Sequence, residues 1–122
     1  MNTRNLVMVV DDDTGFLRSV GRMLRESRYE TLLFPTAEAF EAQHDFAEAV
    51  CVLLDIDLGE RSGIEVRKQL KARNDSIPVI YMTGNDDPII RTAAIQSGCL
   101  ACLSKPFPAQ ALLDIIRKAA AG

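Results

Sequence analysis

The chain has 122 residues, of which 25% are charged and 48% are apolar, and its formal net charge is -3. This size and composition are typical of one soluble globular domain, here residues 1–122, and exclude a disordered chain. The negative charge and the scattered Lys and Arg residues argue against direct binding of nucleic acid. Because the chain has neither a membrane-spanning apolar run nor the features of a signal peptide, we expect a cytoplasmic protein without membrane contact.

Five short apolar runs recur along the chain, and a segment with helical spacing follows each of them. The predicted strands are Leu6 to Val10, Thr31 to Phe34, Val50 to Leu54, Ile77 to Met82 and Leu100 to Leu103. Their near-continuous apolarity is typical of strands that are buried on both faces.

The first predicted helix carries apolar residues at spacings of three and four: Phe16, Leu17, Val20, Met23 and Leu24. The second runs roughly from Thr36, a plausible N-cap, to Phe46. The third follows Gly63, the fourth begins at Asp87-Pro88 with an acidic cap and a first-turn proline, and the last follows Phe107-Pro108. This alternation predicts an α/β domain of the (βα)5 doubly wound class, with a five-stranded parallel sheet between two helical layers.

Polar side chains gather where the predicted strands end. They are Asp11, Asp12 and Asp13 after the first strand, Asp55 after the third, Thr83 after the fourth and Lys105 after the fifth. In open parallel sheets, ligands bind in the crevice outside these carboxyl ends. Neighbouring carboxylates repel one another unless a positive group lies among them, so a metal ion is indicated. Each aspartate of the first run can instead cap the N–H groups that begin the next helix, and that alternative stays open.

The chemistry of these groups favours phosphoryl transfer. Asp11, Asp12 and Asp55 supply hard oxygen ligands for Mg²⁺, and an aspartate can attack phosphorus to form an aspartyl phosphate. Lys105 can bind a phosphoryl oxygen as a point charge, and the Thr83 hydroxyl can donate a hydrogen bond. No glycine-rich phosphate loop is present in the sequence, and this chemistry requires none.

The pattern resembles the receiver domain of two-component response regulators over essentially the whole chain. Asp11-Asp12 matches the acidic pair of that family, Asp55 its phosphoacceptor, Thr83 its hydroxyl and Lys105-Pro106 its Lys-Pro pair. The segments SRYETLLFPTAEAF and IPVIYMTGNDDP are most similar to receivers whose full proteins carry a helix-turn-helix DNA-binding domain. The resemblance therefore implies a flavodoxin-like receiver fold.

The resemblance also implies the ligands and partners of the site. Asp12 and Asp55 would contact Mg²⁺ directly, Asp11 through water, and the backbone carbonyl of Asp57 would complete the protein ligands. A cis peptide before Pro106 would direct Lys105 into the site. A histidine kinase or phosphotransfer protein would phosphorylate Asp55, and slow hydrolysis would follow, so the domain would be a regulator of a two-component system and not an enzyme.

The implied output surface is the face formed by the fourth helix, the fifth strand and the fifth helix, through which a downstream domain or protein would be contacted. A homodimer is a further assembly that the resemblance allows. His44, in the second predicted helix, is interpreted as a surface residue and not as a phosphate relay.

The sequence departs from the family pattern in three ways. Leu58-Gly59 replaces the usual Met-Pro pair in a loop, GERSG, that we expect to be flexible. The Asp57 side chain adds a negative charge beside the site, with an effect on phosphorylation that the sequence leaves open. Cys102 replaces the aromatic residue that the family couples to its hydroxyl, so we expect a muted or differently transmitted change on the output face.

Two other functions fit parts of the sequence. A receiver-shaped docking module that takes no phosphate is suggested by the same three departures. A haloacid-dehalogenase-like phosphatase is suggested by DIDLG, with Asp57 as general acid, although its further carboxylates should follow the lysine and Gly59 does not fit its motif. Cys99 and Cys102 form a CxxC, which we interpret as packed thiols on opposite faces of a strand.

Overall fold

A computed structural model describes residues 5–43 and 46–121 of the chain. Five strands form one sheet: β1 (Leu6–Val10), β2 (Glu30–Phe34), β3 (Ala49–Asp55), β4 (Val79–Thr83) and β5 (Ala101–Ser104). All neighbouring strands pair in parallel, in the spatial order β2-β1-β3-β4-β5. Strand order reverses between β1 and β3, so the crevice for a ligand is expected beyond their carboxyl ends.

Five helices connect and follow these strands: α1 (Thr14–Glu26), α2 (Ala37–Glu41), α3 (Gly63–Ala72), α4 (Pro88–Gln96) and α5 (Ala109–Ala121). The predicted (βα)5 doubly wound architecture is confirmed. Among the residues that the structure describes, no helix has the length and apolar character needed to cross a membrane.

The predicted N-caps of α2 and α4 are confirmed. The Thr36 hydroxyl accepts a hydrogen bond from the backbone N–H of Ala39, and the Asp87 carboxylate accepts one from Ile89. In contrast, α2 ends at Glu41, before its predicted end at Phe46. After the helix the chain forms a tighter turn, in which a backbone N–H donates to the carbonyl three residues earlier. The interpretation of His44 as a surface residue falls outside the described residues.

The sheet lies between two apolar clusters because alternate side chains of its strands point to opposite faces. On one face, Met8, Leu54 and Tyr81 pack with residues of α2, α3 and α4. On the other face, Val9 and Leu53 pack with residues of α1 and α5. The three inner strands are buried except for Leu6 at the start of β1, and this core supports the residues that end β1, β3 and β4.

The prediction that all five strands are buried on both faces is wrong for the two edge strands. Every residue of β2 is either exposed or partly buried, and those of β5 are all partly buried. An edge strand has a neighbouring strand on one side only, so its other side is open to solvent. Apolar runs in the sequence do not distinguish such strands from the inner ones.

The expected placement of Cys99 and Cys102 on opposite faces is also wrong. Cys99 precedes β5, so strand alternation does not apply to it, and both thiols pack partly buried against the same apolar cluster. Burial raises the pKa of each thiol. Both thiols therefore stay protonated and pack as small apolar groups.

The loop after β3 contains secondary structure that was not predicted from the sequence. Asp57–Leu58 and Arg61–Ser62 pair as a short antiparallel hairpin, with Gly59 at a φ of 70° in its turn. The Arg61 guanidinium contacts both carboxylate oxygens of Glu41 on α2, with an Nη2–Oε2 distance of 2.8 Å. No local pattern indicates this hairpin, because the ion pair that anchors it joins residues far apart in sequence.

Candidate functional site

The three consecutive aspartates after β1 have three different environments. Asp11 is fully buried, and its carboxylate accepts hydrogen bonds from the Lys105 ammonium at 2.6 Å and from the backbone N–H of Asp13 at 2.9 Å. Asp12 is exposed. Asp13 is the N-cap of α1, with its side chain accepting from the N–H of Phe16 at 3.1 Å. Capping therefore explains Asp13, whereas Asp11 and Asp12 take part in a cluster with Asp55.

Asp55 is the last residue of β3 and is 5% exposed. One of its carboxylate oxygens accepts the backbone N–H of Asp57 at 3.2 Å, and the other lies 3.4 Å from the Lys105 ammonium. Burial, followed by the negative charge of Asp11, raises the pKa of Asp55 to about 6, and Lys105 partly opposes this rise. The Asp55 carboxylate is therefore available as a nucleophile near neutral pH, but its charge is costly to hold there.

Lys105 follows β5 and extends its ammonium between Asp11 and Asp55. The Lys105-Pro106 peptide bond is cis, as the resemblance implied. Burial lowers the pKa of Lys105, but its hydrogen bond to Asp11 and the charges of both carboxylates outweigh burial, so the pKa is raised. Lys105 consequently remains a cation throughout the neutral range.

The donor set of this site fits a divalent cation. Asp11, Asp12 and Asp55 each offer one carboxylate oxygen, and these oxygens lie within 4.8 Å of one another. Anionic oxygens are the ligands that Mg²⁺ prefers, and the three carboxylates outnumber the one ammonium among them. Of these three residues, Asp12 is exposed to solvent, whereas Asp11 and Asp55 are buried.

Thr83 lies at the predicted strand end, but its hydroxyl is engaged elsewhere. It is the buried last residue of β4, and its Oγ1 accepts the backbone N–H of Asn85 at 3.0 Å and donates to the carbonyl of the same residue at 3.2 Å. The hydroxyl therefore stabilises the β4–α4 loop in this state. The fold brings together Asp11, Asp12, Asp55 and Lys105, with Thr83 at the same edge of the sheet.

Two sets of contacts around the site were not predicted from the sequence. The ring of Phe16, the third residue of α1, lies 4.2 Å from the Lys105 ammonium. Arg91 of α4 donates to Ser104 of β5 at 2.6 Å, and Ser104 donates to Asp86 at 3.0 Å. Phe16 was assigned only to the apolar stripe of a helix, and nothing in its spacing indicates a cation above its ring. Arg91 likewise carries no local signal, because its partners lie on other elements.

Comparison with known proteins gives concordant results. The family model described as "Response regulator receiver domain" matches residues 7–117. The chain is 30% identical to the response regulator protein TodT of Pseudomonas putida over 115 residues, which are 94% of this chain and 51% of TodT. It is also 30% identical to the transcriptional regulatory protein FixJ of Bradyrhizobium diazoefficiens over 119 residues, covering 98% of this chain and 58% of FixJ.

The fold is also similar to those of solved structures. The structure of the response regulator StyR matches with a TM-score of 0.87 and 34% identity, covering 95% of this chain and 59% of that one. The chain thus spans about half the length of the curated relatives that it matches. These relatives include a transcriptional regulatory protein, in agreement with the resemblance of the flanking segments.

Proposed function

We propose, from the premise that the chain belongs to the response regulator receiver domain family, that Asp55 is the phosphoacceptor of this two-component switch. The observation that supports this most directly is the cluster itself. The carboxylate oxygens of Asp11, Asp12 and Asp55 lie within 4.8 Å of one another, and the Lys105 ammonium lies beside Asp55.

In the proposed transfer, a carboxylate oxygen of Asp55 attacks the phosphorus of a phosphohistidine on a kinase or phosphotransfer protein. The O–P bond forms as the P–N bond breaks, and the imidazole leaves with the electron pair and takes up a proton. Water later attacks the same phosphorus, breaks the O–P bond and releases inorganic phosphate. Because this hydrolysis is slow, the domain acts as a switch and not as an enzyme of multiple turnover.

The residues around Asp55 have separate roles in this proposal. Asp12 and Asp55 would hold Mg²⁺ directly, Asp11 would do so through water, and the backbone carbonyl of Asp57 would be a further ligand. When bound, Mg²⁺ neutralises charge on the phosphoryl oxygens. Lys105 binds another of these oxygens as a point charge. Thr83 would exchange its hydrogen bond with Asn85 for one to the phosphoryl group.

The test is phosphoryl uptake from a small acyl phosphate in the presence of Mg²⁺, followed by intact mass. The wild type is expected to gain the mass of one phosphoryl group, and Asp55→Asn to gain none because an amide oxygen is a poor nucleophile. Asp57→Asn is the matched control, since it removes a neighbouring carboxylate and keeps the backbone carbonyl. A wild type without any adduct would favour the alternative of a phosphate-independent docking module, and rapid repeated release of phosphate would favour a phosphatase.

We also propose that the output face, formed by α4, β5 and α5, is coupled to the site through polar contacts. Cys102 stands where the family has an aromatic residue, and the Arg91 guanidinium donates to its backbone carbonyl at 3.1 Å. The same guanidinium is linked through Ser104 to Asp86 in the β4–α4 loop. Movement of Thr83 would change this loop and hence the Asp86–Ser104 contact. A downstream domain or protein would read the result on this face.

Backbone amide chemical shifts with and without beryllofluoride, a phosphoryl mimic, test this coupling. We expect the largest changes at Asp86, Arg91 and Ser104, and small changes along the exposed side of α5. In Ser104→Ala the change at Arg91 should shrink, because the hydroxyl that joins the guanidinium to Asp86 is absent. Large shifts throughout the face, unaffected by this substitution, would contradict the proposal.

A further inference from the structure

We infer that Phe16 is a positioning residue for Lys105, holding its ammonium in the site through the face of the aromatic ring. This inference rests on the proposed function, because it concerns the lysine that would bind the phosphoryl group. The main observation is the distance of 4.2 Å between the Lys105 Nζ atom and the centroid of the Phe16 ring. A cation within about 6 Å of a ring centroid is attracted by the negative face of the ring.

The ammonium has contacts of two kinds. It donates to Asp11 at 2.6 Å and to Asp55 at 3.4 Å, and the ring of Phe16 covers a further side of it. A third carboxylate in that place would neutralise the lysine and compete with a phosphoryl group for it. An aromatic face attracts the cation without taking a hydrogen bond from it. The charge and the N–H groups of Lys105 therefore remain directed toward the acidic cluster.

Two contacts fix the position of Phe16, one through its backbone and one through its ring. The backbone N–H of Phe16 donates to the Asp13 carboxylate that caps α1, which fixes the residue within the first turn of the helix. Its ring meets the ring of Phe107 edge to face, with centroids 6.2 Å apart and an interplanar angle of 79°. Phe107 lies two residues after Lys105, so the two rings join the segment that carries the lysine to the start of α1. This arrangement also gives the Asp13 cap a role in the site.

The test compares phosphorylation rates from a small acyl phosphate with Mg²⁺. Phe16→Leu keeps an apolar side chain in the same place and is expected to lower the rate about fivefold, since it removes the cation–π contact. Phe16→Tyr retains the ring face and should recover most of the rate. Recovery by Tyr and loss with Leu support a role of the ring itself, whereas equal rates for the two variants would overturn the inference.

A double-mutant cycle separates positioning from packing. In a Lys105→Met background, the further change Phe16→Leu is expected to alter the residual rate by less than about twofold, because the cation that the ring holds is absent. The same fivefold loss in both backgrounds would mean that Phe16 acts through packing alone, and this would contradict the inference. Thermal unfolding of each variant establishes that it is folded at the temperature of the assay.

A spectroscopic readout tests the contact without phosphorylation. Because Lys105 Nζ lies over the Phe16 ring, 4.2 Å from its centroid, we expect the ring to shield the protons on the adjacent Cε. Their resonances should then move downfield in Phe16→Leu and stay near the wild-type position in Phe16→Tyr. If they do not move, the inference is wrong. If the wild type takes up no phosphoryl group and these resonances move as expected, the proposed function fails while the contact between ring and ammonium stands.

Discussion

Replacement of Gly63 by alanine is expected to destabilise the domain by about 3 kcal/mol, at the upper end of the usual cost of overpacking. Gly63 is the first residue of α3, and its N–H donates to the carbonyl of Ile56 at 2.8 Å. A Cβ atom built on Gly63 would lie 2.3 Å from the carbonyl oxygen of Asp55 and 3.2 Å from the Cα of Ile56. Both neighbours are backbone atoms at the carboxyl end of the buried strand β3, so they cannot move aside as a side chain could and α3 must shift instead.

The measurement is the urea midpoint of unfolding in the absence of metal, with the free energy taken from a linear fit. Gly84→Ala is the matched control, because Gly84 has no atom within 4 Å of a built Cβ and its change should stay within about 0.5 kcal/mol. A Gly63→Ala midpoint equal to that of the wild type would show that α3 packs less closely on β3 than the structure has it. Phosphoryl uptake should fall as well, since the clash displaces the backbone of Asp55.

Replacement of Asp55 by asparagine is expected to stabilise the domain at pH 7 by about 1–3 kcal/mol. Burial and the charge of Asp11 raise the pKa of Asp55 from an ordinary value of 3.8 to about 6. The folded chain therefore holds the Asp55 proton more tightly than the unfolded chain does, so ionisation of this group at neutral pH costs stability. Asparagine is nearly the same size and carries no charge.

The pH dependence has a definite sign. Because the folded state binds more protons at Asp55, the contribution of this residue to the free energy of unfolding falls as the pH rises from about 4 to about 6. The advantage of Asp55→Asn over the wild type should thus be small near pH 4 and should reach its full value above pH 6. Urea midpoints of both proteins across this range, in the presence of a chelator, measure it.

Asp57→Asn is the control for the Asp55 variant. The Asp57 side chain is exposed, so its removal should change stability by no more than about 0.5 kcal/mol at either pH. Mg²⁺ should raise the stability of the wild type more than that of Asp55→Asn, since the variant lacks one carboxylate of the cluster. An Asp55→Asn protein that is less stable than the wild type at pH 7 without metal would contradict the cost assigned to this charge.

The order of the elements followed from local patterns. Apolar runs separated by helical spacing gave the five parallel strands, and Thr36 and Asp87 marked the starts of α2 and α4. Local patterns could not predict that β2 and β5 lie at the edges of the sheet, because the burial of a strand depends on its neighbours in the sheet. The anchored hairpin after β3 was missed for a similar reason, since its ion pair joins segments that are distant in the sequence.

The sequence by itself determined which groups meet at the site. Asp11, Asp55 and Lys105 each stand at the end of an apolar run, and parallel strands bring such ends to one edge of a sheet whatever their separation in the chain. Only the tertiary structure decided how each group is used: which of three adjacent aspartates caps α1, which is buried, and that the ring of Phe16 lies against the Lys105 ammonium. Local sequence patterns reflect backbone periodicity, whereas burial, charge pairing and ring contacts arise from side chains that meet only after folding.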